Sequence, residues 1–255
     1  MRALLFGDHS ETLRPLLERH GFTLVESGST SPAELVVCHG GDGTVLRAEH
    51  EHPGIPKLLL RGSRVCKLCS KLDNDEVLKR VSEGQYTIHK LLKLEARTKG
   101  TVLVGMNDII VHNADARHGI RYRLSVNGER VGGEIIGDGI VVATPLGSTG
   151  YYRSITDSFF TNGVGVAFNN STEQSDHIVL GDDSVIELTV TRGPAIAYAD
   201  NHSSSITLAD SDKILIKKSD AVAQLIVPEA EHILPMYLIR TLARLGREWS
   251  AEDGS

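Results

Sequence analysis

Three glycines and an aspartate, set between two apolar runs, constrain this chain more than any other feature. Leu35-Val36-Val37-Cys38 reads as a buried strand, His39-Gly40-Gly41-Asp42-Gly43-Thr44 follows directly, and Val45 to His50 suits a helix. A strand that gives way to a helix within so few residues must turn sharply, which glycine permits most readily. Without Cβ atoms the turn also lets a large anion approach the main chain. The helix start adds free N–H groups and the positive end of a dipole, so a phosphate chain is the natural ligand. Asp42 is the odd element, because phosphates repel a carboxylate unless a cation or a proton transfer involves it. Its roles are then Mg²⁺ handling or accepting a proton from an attacking hydroxyl. Taken alone, the motif also fits a plain glycine-rich turn with a helix-capping aspartate. It lacks the Gly-Lys-Ser/Thr ending of a Walker A loop and the G-x-G-x-x-G spacing of the dinucleotide fingerprint.

The surroundings extend this strand–turn–helix unit into an α/β domain over residues 1–85 with a mostly parallel sheet. Arg2 to Phe6 and Lys57 to Leu60 read as short buried strands, and Glu11 to His20 carries Leu13, Leu16 and Leu17 at helical spacing. Asp73 or Asn74 can cap a helix through Arg80, with Gly84 ending it. The texture then changes. Residues 86–228 read as short strands broken by Gly, Asn and Asp, a β-rich second domain. Its clearest unit is a hairpin, Arg121 to Val126 and Glu129 to Val131 around Asn127-Gly128. Further strands are predicted at Ile140–Thr144, Val164–Phe168, Val185–Thr191, Ile196–Tyr198, Ser205–Leu208 and Lys213–Lys217. Residues 229–255 read as an amphipathic helix, Ile233 to Arg247, that packs back, followed by a frayed tail.

Composition narrows the partners. Lys plus Arg number 27 against 33 for Asp plus Glu, a net charge of −6, which argues against a generalised nucleic-acid binder. No apolar run approaches the roughly 20 residues of a membrane span. The apolar start at Met1 to Phe6 is cut short by Gly7-Asp8-His9, too soon for a secretory core. Three cysteines build no disulfide framework, so the expected home is the reducing cytoplasm. Cys66-Lys67-Leu68-Cys69 is a C-x-x-C without the second pair a structural zinc needs, and its cysteines read as ordinary thiols. His39 reads as a packing residue, and no metal-ligand set is assigned.

A second constellation gives the first its meaning. Asp138-Gly139 opens the strand Ile140 to Thr144, which leads into Pro145-Leu146-Gly147-Ser148-Thr149-Gly150-Tyr151. Small hydroxyl residues and glycines at a strand end make a concave, donor-rich surface beside a tyrosine that can stack or hydrogen-bond. In order and spacing, the pair of motifs resembles the NAD kinase family, part of a superfamily with diacylglycerol and sphingosine kinases. That family carries G-G-D-G-T, then an Asn-Glu pair after a mid-chain strand, then D-G, a strand and T-P-x-G-S-T-A/G-Y. Asn107-Asp108 stands here where the Asn-Glu pair belongs, and the resemblance covers roughly residues 1 to 210.

The resemblance implies an enzyme that transfers the terminal phosphoryl of ATP, or of polyphosphate, to the 2′-hydroxyl of the adenosine ribose of NAD, with Mg²⁺ in attendance. It implies Asp42 as proton acceptor, backbone contacts to phosphate from Gly40, Gly41 and Gly43, and Thr44 and Arg47 beside them. Asn107 and Asp108 would hold the adenosine part of NAD, Asp138 would face its nicotinamide end, and Thr149, Gly150, Tyr151 and Ser154 would line the groove. It further implies a homodimer or homotetramer assembled through the β-rich domain. Four segments depart from the family pattern. Leu59, Ser63 and Cys66 stand where it has glycines, with Arg61 in place of an asparagine. Asp108 replaces a glutamate, Arg153-Ser154-Ile155 stands near an expected Gly-Gly-Pro, and Asp200-Asn201-His202 replaces Asp-Gly-Gln. The departures cluster on the acceptor side, which leaves room for a kinase acting on a sugar, nucleoside or lipid hydroxyl, or for a nucleotide sensor. The intact Asp42 argues against a sensor, which needs no base.

Overall fold

The computed structural model describes residues 1–228 apart from Ser29, Val65 and residues 173–175, so the helix expected at Ile233 to Arg247 lies outside the described residues. The chain divides into two compact units, Met1–Lys90 together with the chain from Gln224 onward, and Leu91–Ala223.

The first unit is built on a parallel sheet. Its strands are β1 (Arg2–Phe6), β2 (Thr23–Val25), β3 (Leu35–Gly40), β4 (Lys57–Arg61) and the far end of β16 (Lys213–Pro228), in the order β2-β1-β3-β4-β16. The strands are short, continuous apolar runs because both faces are covered. Helices α1 (Arg14–Arg19) and α3 (Asn74–Ser82) bring Leu17, Val77, Leu78 and Val81 onto Leu35, Val37, Leu58 and Leu60. Helix α2 (Asp42–Glu51) packs on β3 and β4 and buries Val45, Leu46 and Ala48. The cap predicted for α3 is present, with Asp73 Oδ1 accepting the Glu76 N–H at 2.8 Å. The helix expected from Glu11 is shorter than its spacing suggests. Ser10–Leu13 forms a 3-10 turn, and the α-helix proper starts at Arg14 with Pro15 in its first turn, where a missing N–H costs nothing.

The second unit is built on antiparallel pairs. One sheet runs β12 (His177–Leu180), β11 (Val164–Asn169), β10 (Gly139–Ala143), β7 (Asp108–Asn113), β14 (Ala195–Ala199), β15 (Ser205–Leu208). The other joins the near end of β16 to β13 (Ile186–Arg192), β8 (Ile120–Val126) and β9 (Glu129–Gly137), with β5 (Tyr86–Thr98) and β6 (Thr101–Gly105) paired alongside. Alternation sorts the side chains. Ile109, Val111, Ile140 and Val142 face a core shared with Tyr122, Leu124, Leu188 and Ile214, while Ile110, Val141 and Ala143 point the other way onto α4 (Tyr151–Thr156). The predicted hairpin stands, with Val126 opposite Glu129 and positive φ at both Asn127 and Gly128.

The sequence reading missed β5 and caught only the first part of β16. Lys93 and Glu95 interrupt the apolar pattern of β5, yet both are buried, and Glu95 is paired with Arg97 at 2.9 Å and Lys217 at 3.5 Å. β16 runs well past the predicted Lys217 because the polar step at Lys218-Ser219-Asp220 hides its continuation into the apolar Leu225-Ile226-Val227.

The first unit also buries an ion pair. Glu49 on α2 and Lys57 at the start of β4 are hydrogen-bonded with side chains 3% and 1% exposed, and Lys57 Nζ donates to the His52 carbonyl at 2.6 Å. Removing one charge strands the other without water. We therefore expect Glu49→Ala to destabilise the protein by about 3–5 kcal/mol, and Glu49→Leu combined with Lys57→Met to recover most of that loss. Urea unfolding of the three proteins checks this, and a double variant no more stable than the single one would contradict it.

Candidate active site

The glycine-rich turn leaves the carboxyl end of β3. Gly40 is the last strand residue, Gly41 is extended, and α2 begins at Asp42, three residues earlier than the apolar pattern suggested. Thr44 drives that early start. Its Oγ1 accepts the Gly41 N–H at 3.4 Å, and its own N–H bonds the Gly41 carbonyl at 3.0 Å. A Cβ on Gly40 would lie 2.1 Å from that Oγ1, so the fold of the turn itself demands glycine here. The Asp42 carboxylate lies at the positive end of its own helix. It is also gripped by a loop distant in sequence. Lys67 N–H donates to both carboxylate oxygens at 3.0 Å and Leu68 N–H donates to Oδ1 at 2.9 Å.

The residues around Asp42 divide between those facing the turn and those engaged elsewhere. Arg47 lies one helical turn on and is exposed. Its guanidinium is 3.4 Å from Asp8 and stacks over the Phe6 ring at 5.3 Å. Arg61 donates to the Ser70 carbonyl at 3.3 Å. The His39 ring packs under Gly62, where a Cβ would come within 2.7 Å of it, in keeping with a packing residue. The cysteines differ from the sequence reading. Cys66 and Cys69 are joined as a disulfide rather than left as thiols, since their spacing brings the Cα atoms to 5.5 Å.

In the second unit, the two remaining motifs meet. Asp108 opens β7 directly after Asn107, and the loop after β10 folds over them. Thr144 N–H donates to the Asn107 carbonyl at 2.8 Å, and Thr144 Oγ1 donates to the Met106 carbonyl at 2.8 Å. A Cβ on Gly147 would sit 2.1 Å from the Asn107 carbonyl oxygen, so this glycine sets how close the loop can come. Tyr151 starts α4, and its hydroxyl accepts from Asn169 Nδ2 at 2.9 Å. Asp138 is held by Asn113 at 3.3 Å and Asn170 at 3.1 Å. The hydroxyls of Thr149 and Ser154 bond the carbonyls of Leu146 and Tyr151, at 3.0 and 2.7 Å. Gly150 joins the 3-10 turn Gly147–Thr149 to α4. Thus Asn107, Asp108 and the 144–154 loop are assembled in one place, and Asp138 acts electrostatically on Tyr151 there.

Sequence reasoning noted Asp200 only as a departure, yet it organises this cluster. Its carboxylate accepts the backbone N–H groups of Met106 and Asn107 at 2.7 Å and of Asp108 at 3.0 Å. Those partners are more than 90 residues away, so no local pattern announces them. The available signal was an acid in a polar turn directly after an apolar strand.

Two carboxyls are therefore buried together. Burial first, and the Asp200 charge second, push Asp108 up to about 7. Burial raises Asp200 as well, against the three N–H groups that favour its charged form. A carboxyl raised on folding holds a proton in the native state that the unfolded chain has already released. Stability is thus lost as the pH climbs from about 4 to about 7. We expect Asp108→Asn to flatten this slope to the part that Asp200 supplies, leaving the variant equal to wild type near pH 4. It should be more stable at pH 8 by an amount on the order of a few kcal/mol. Urea midpoints across that range test the point, and parallel pH profiles for the two proteins would refute it.

Among the described residues no three His, Cys, Asp or Glu side chains converge as a metal site, and no helix is long and apolar enough to cross a membrane. Comparison with known proteins bears on the second motif cluster and on the fold. Residues 106–227, which include Asn107, Asp138 and Tyr151, match the ATP-NAD kinase C-terminal domain. A NAD kinase of Cellvibrio japonicus is 30% identical over 213 residues, spanning 76% of this chain and 70% of that relative. One from Acinetobacter baylyi is 29% identical over 209 residues, 74% and 68% of the two chains. An Archaeoglobus fulgidus NAD kinase solved in complex with ATP shares the fold at a TM-score of 0.74 and 23% identity, over 90% of this chain and 94% of that one. A yeast NADH kinase solved with NADH shares it at 0.79 and 16% identity, over 95% and 87%. With a relative at this identity covered over more than two thirds of its length, and with the family's domain lying on the strands that carry the second motif, the chain belongs to the NAD kinase family.

Proposed function

We propose that this chain performs the family's reaction, passing the terminal phosphoryl of ATP to the 2′-hydroxyl of the adenosine ribose of NAD, with Asp42 as proton acceptor. The observation that carries this reading is the Asp42 carboxylate at the start of α2, directly after the glycines and fixed by two backbone N–H groups. Oδ1 receives two of those hydrogen bonds and Oδ2 one, which leaves Oδ2 the freer oxygen for a proton. As the ribose oxygen bonds to phosphorus, its proton passes to Asp42, and ADP departs with the electron pair of the broken P–O bond.

The other residues divide the work. Gly40, Gly41 and Gly43 give the donor phosphates close access to the main chain, and Arg47 offers a cation beside them. Asn107 and Asp108 hold the adenosine part of NAD, with Asp138, Thr149, Gly150, Tyr151 and Ser154 along the remainder of the dinucleotide. Asp108 is one methylene shorter than the family's glutamate, and the Asp200 cradle fixes where it begins. Mg²⁺ fits this arrangement as a passenger on the nucleotide, since it keeps several waters and asks for one or two carboxylates at most. When bound it neutralises charge on the phosphates. Polyphosphate satisfies the same backbone donors. The same reading assigns the enzyme to the cytoplasm and to a homodimer or homotetramer formed through the β-rich unit.

The test is NADP formation from ATP, Mg²⁺ and NAD, read through an NADP-specific dehydrogenase. Asp42→Asn should lower kcat by roughly 10²–10⁴-fold, the usual weight of a positioned base, with the urea midpoint retained. Turnover surviving in the variant would remove Asp42 from the role. A folded wild type that consumes ATP only with sugars, nucleosides or lipids would replace NAD as acceptor.

A further inference from the structure

The Cys66–Cys69 disulfide closes the very loop that grips Asp42. The residues inside the ring, Lys67 and Leu68, are the two whose N–H groups hold the carboxylate. The sulfurs also touch the glycine turn on both sides. Cys66 Sγ lies 3.5 Å from Asp42 Oδ1, and Cys69 Sγ lies 3.9 Å from the Gly40 carbonyl oxygen. Cys69 N–H donates back to Cys66 Sγ at 3.0 Å, which tightens the ring further. Two covalently joined side chains therefore bracket the proton acceptor, at positions where the family pattern has no need of sulfur.

We propose that this disulfide is a redox-sensitive positioning device, and that the oxidised enzyme is the more active form. Cys66 and Cys69 act through Lys67 and Leu68 and touch no substrate, so they are positioning residues. The inference rests on the reading of Asp42 as proton acceptor. Two consequences of reduction run in the same direction. The loop loses its closure, so the backbone donors no longer hold Asp42 in one place. Each sulfur also gains a proton, and an S–H at Cys66 faces Asp42 Oδ1, where a further donor to the carboxylate weakens it as a proton acceptor.

The step balances with a small dithiol as reductant. Its thiolate attacks one sulfur of the pair, forms a mixed disulfide with that cysteine and expels the other cysteine as a thiolate. Its second thiolate then closes the reductant into a cyclic disulfide and releases the cysteine first attacked. Two electrons and two protons pass to the protein. Cys66 is 7% exposed against 1% for Cys69, so the first attack falls on Cys66. Cys38 stays out of the exchange. It is buried in the sheet, and burial pushes its thiol up to about 12, where it forms little thiolate. In intracellular proteins a disulfide of this kind is more often regulatory than structural. Its direction also suits the product, since an oxidising compartment would raise the supply of NADP for reactions that regenerate reducing power.

The experiment equilibrates the full chain in oxidised and reduced dithiothreitol buffers spanning a wide range of poise. Free thiols outside Cys38 are counted by alkylation and mass, and steady-state NADP formation is measured at each poise. Over the range in which two thiols appear, kcat should fall about 10-fold or more, within the ~10²-fold that a misplaced reacting group costs. The KM values for ATP and NAD should change by less than about two-fold, because binding groups are untouched. A Cys66→Ser/Cys69→Ser variant should match the reduced wild type and ignore the buffer. An equal or higher kcat after reduction would overturn the proposal, as would two free thiols at every poise. Failure of the Asp42 reading shows separately, as NADP formation surviving in Asp42→Asn, and the redox comparison needs only the wild type.

Discussion

The register of β3 beside β4 is the constraint on which the first unit's chemistry depends. His39 pairs with Leu60 and Gly40 with Arg61, in parallel, so both chains leave the sheet at the same edge. One departure becomes the glycine turn and α2. The other becomes the loop that returns Lys67 and Leu68 to the Asp42 carboxylate. Parallel pairing forces this convergence, because neighbouring strands that point the same way end side by side. A carboxylate at that edge gains a helix dipole from behind and backbone donors from the flank, and neither requires a charged side chain.

The second unit reaches a similar result by different means. The strands around its site are antiparallel, and Asp108 begins a strand rather than a helix. The position of Asn107 and Asp108 is set by an acid, Asp200, that collects three successive backbone N–H groups, and by Thr144, which answers the carbonyls of Met106 and Asn107. The arrangement keeps two carboxyls away from water, where desolvation disfavours their charges. That burial gives Asp108 a proton affinity in the neutral range, unlike an exposed aspartate.

The departures from the family pattern also take on a physical form. The segment after β4 carries Cys66 and Cys69 against the glycine turn, with sulfur bonded to sulfur, and Arg61 donates to the Ser70 carbonyl. The side chains at those positions are compatible with the backbone grip on Asp42, since main-chain N–H groups donate whatever side chain they carry. At Gly40 and Gly147, by contrast, the neighbouring Thr44 hydroxyl and Asn107 carbonyl occupy the space of a Cβ.

The sequence by itself determined the local elements and the chemistry they bear. The apolar run into Gly40-Gly41-Asp42, the Asp73 cap, the Asn127-Gly128 turn and the order of the motifs all depend on neighbours a few residues apart, and each was legible. Long β5 was not, and β16 was legible only over Lys213–Lys217, because the buried Lys93 and Glu95 and the polar step at Ser219 break the apolar pattern; Glu95 is matched by Arg97 on its own strand and by the distant Lys217. The early start of α2 was hidden for a related reason, since the Thr44 hydroxyl takes the place of an apolar signal. Tertiary structure alone decided that Lys67 and Leu68 hold Asp42, that Cys66 bonds Cys69, and that Asp200 organises Asn107 and Asp108. Backbone donors carry no mark in a sequence, and a carboxylate's partners some 25 or 90 residues away are chosen by sheet register, which exists only once the strands have paired.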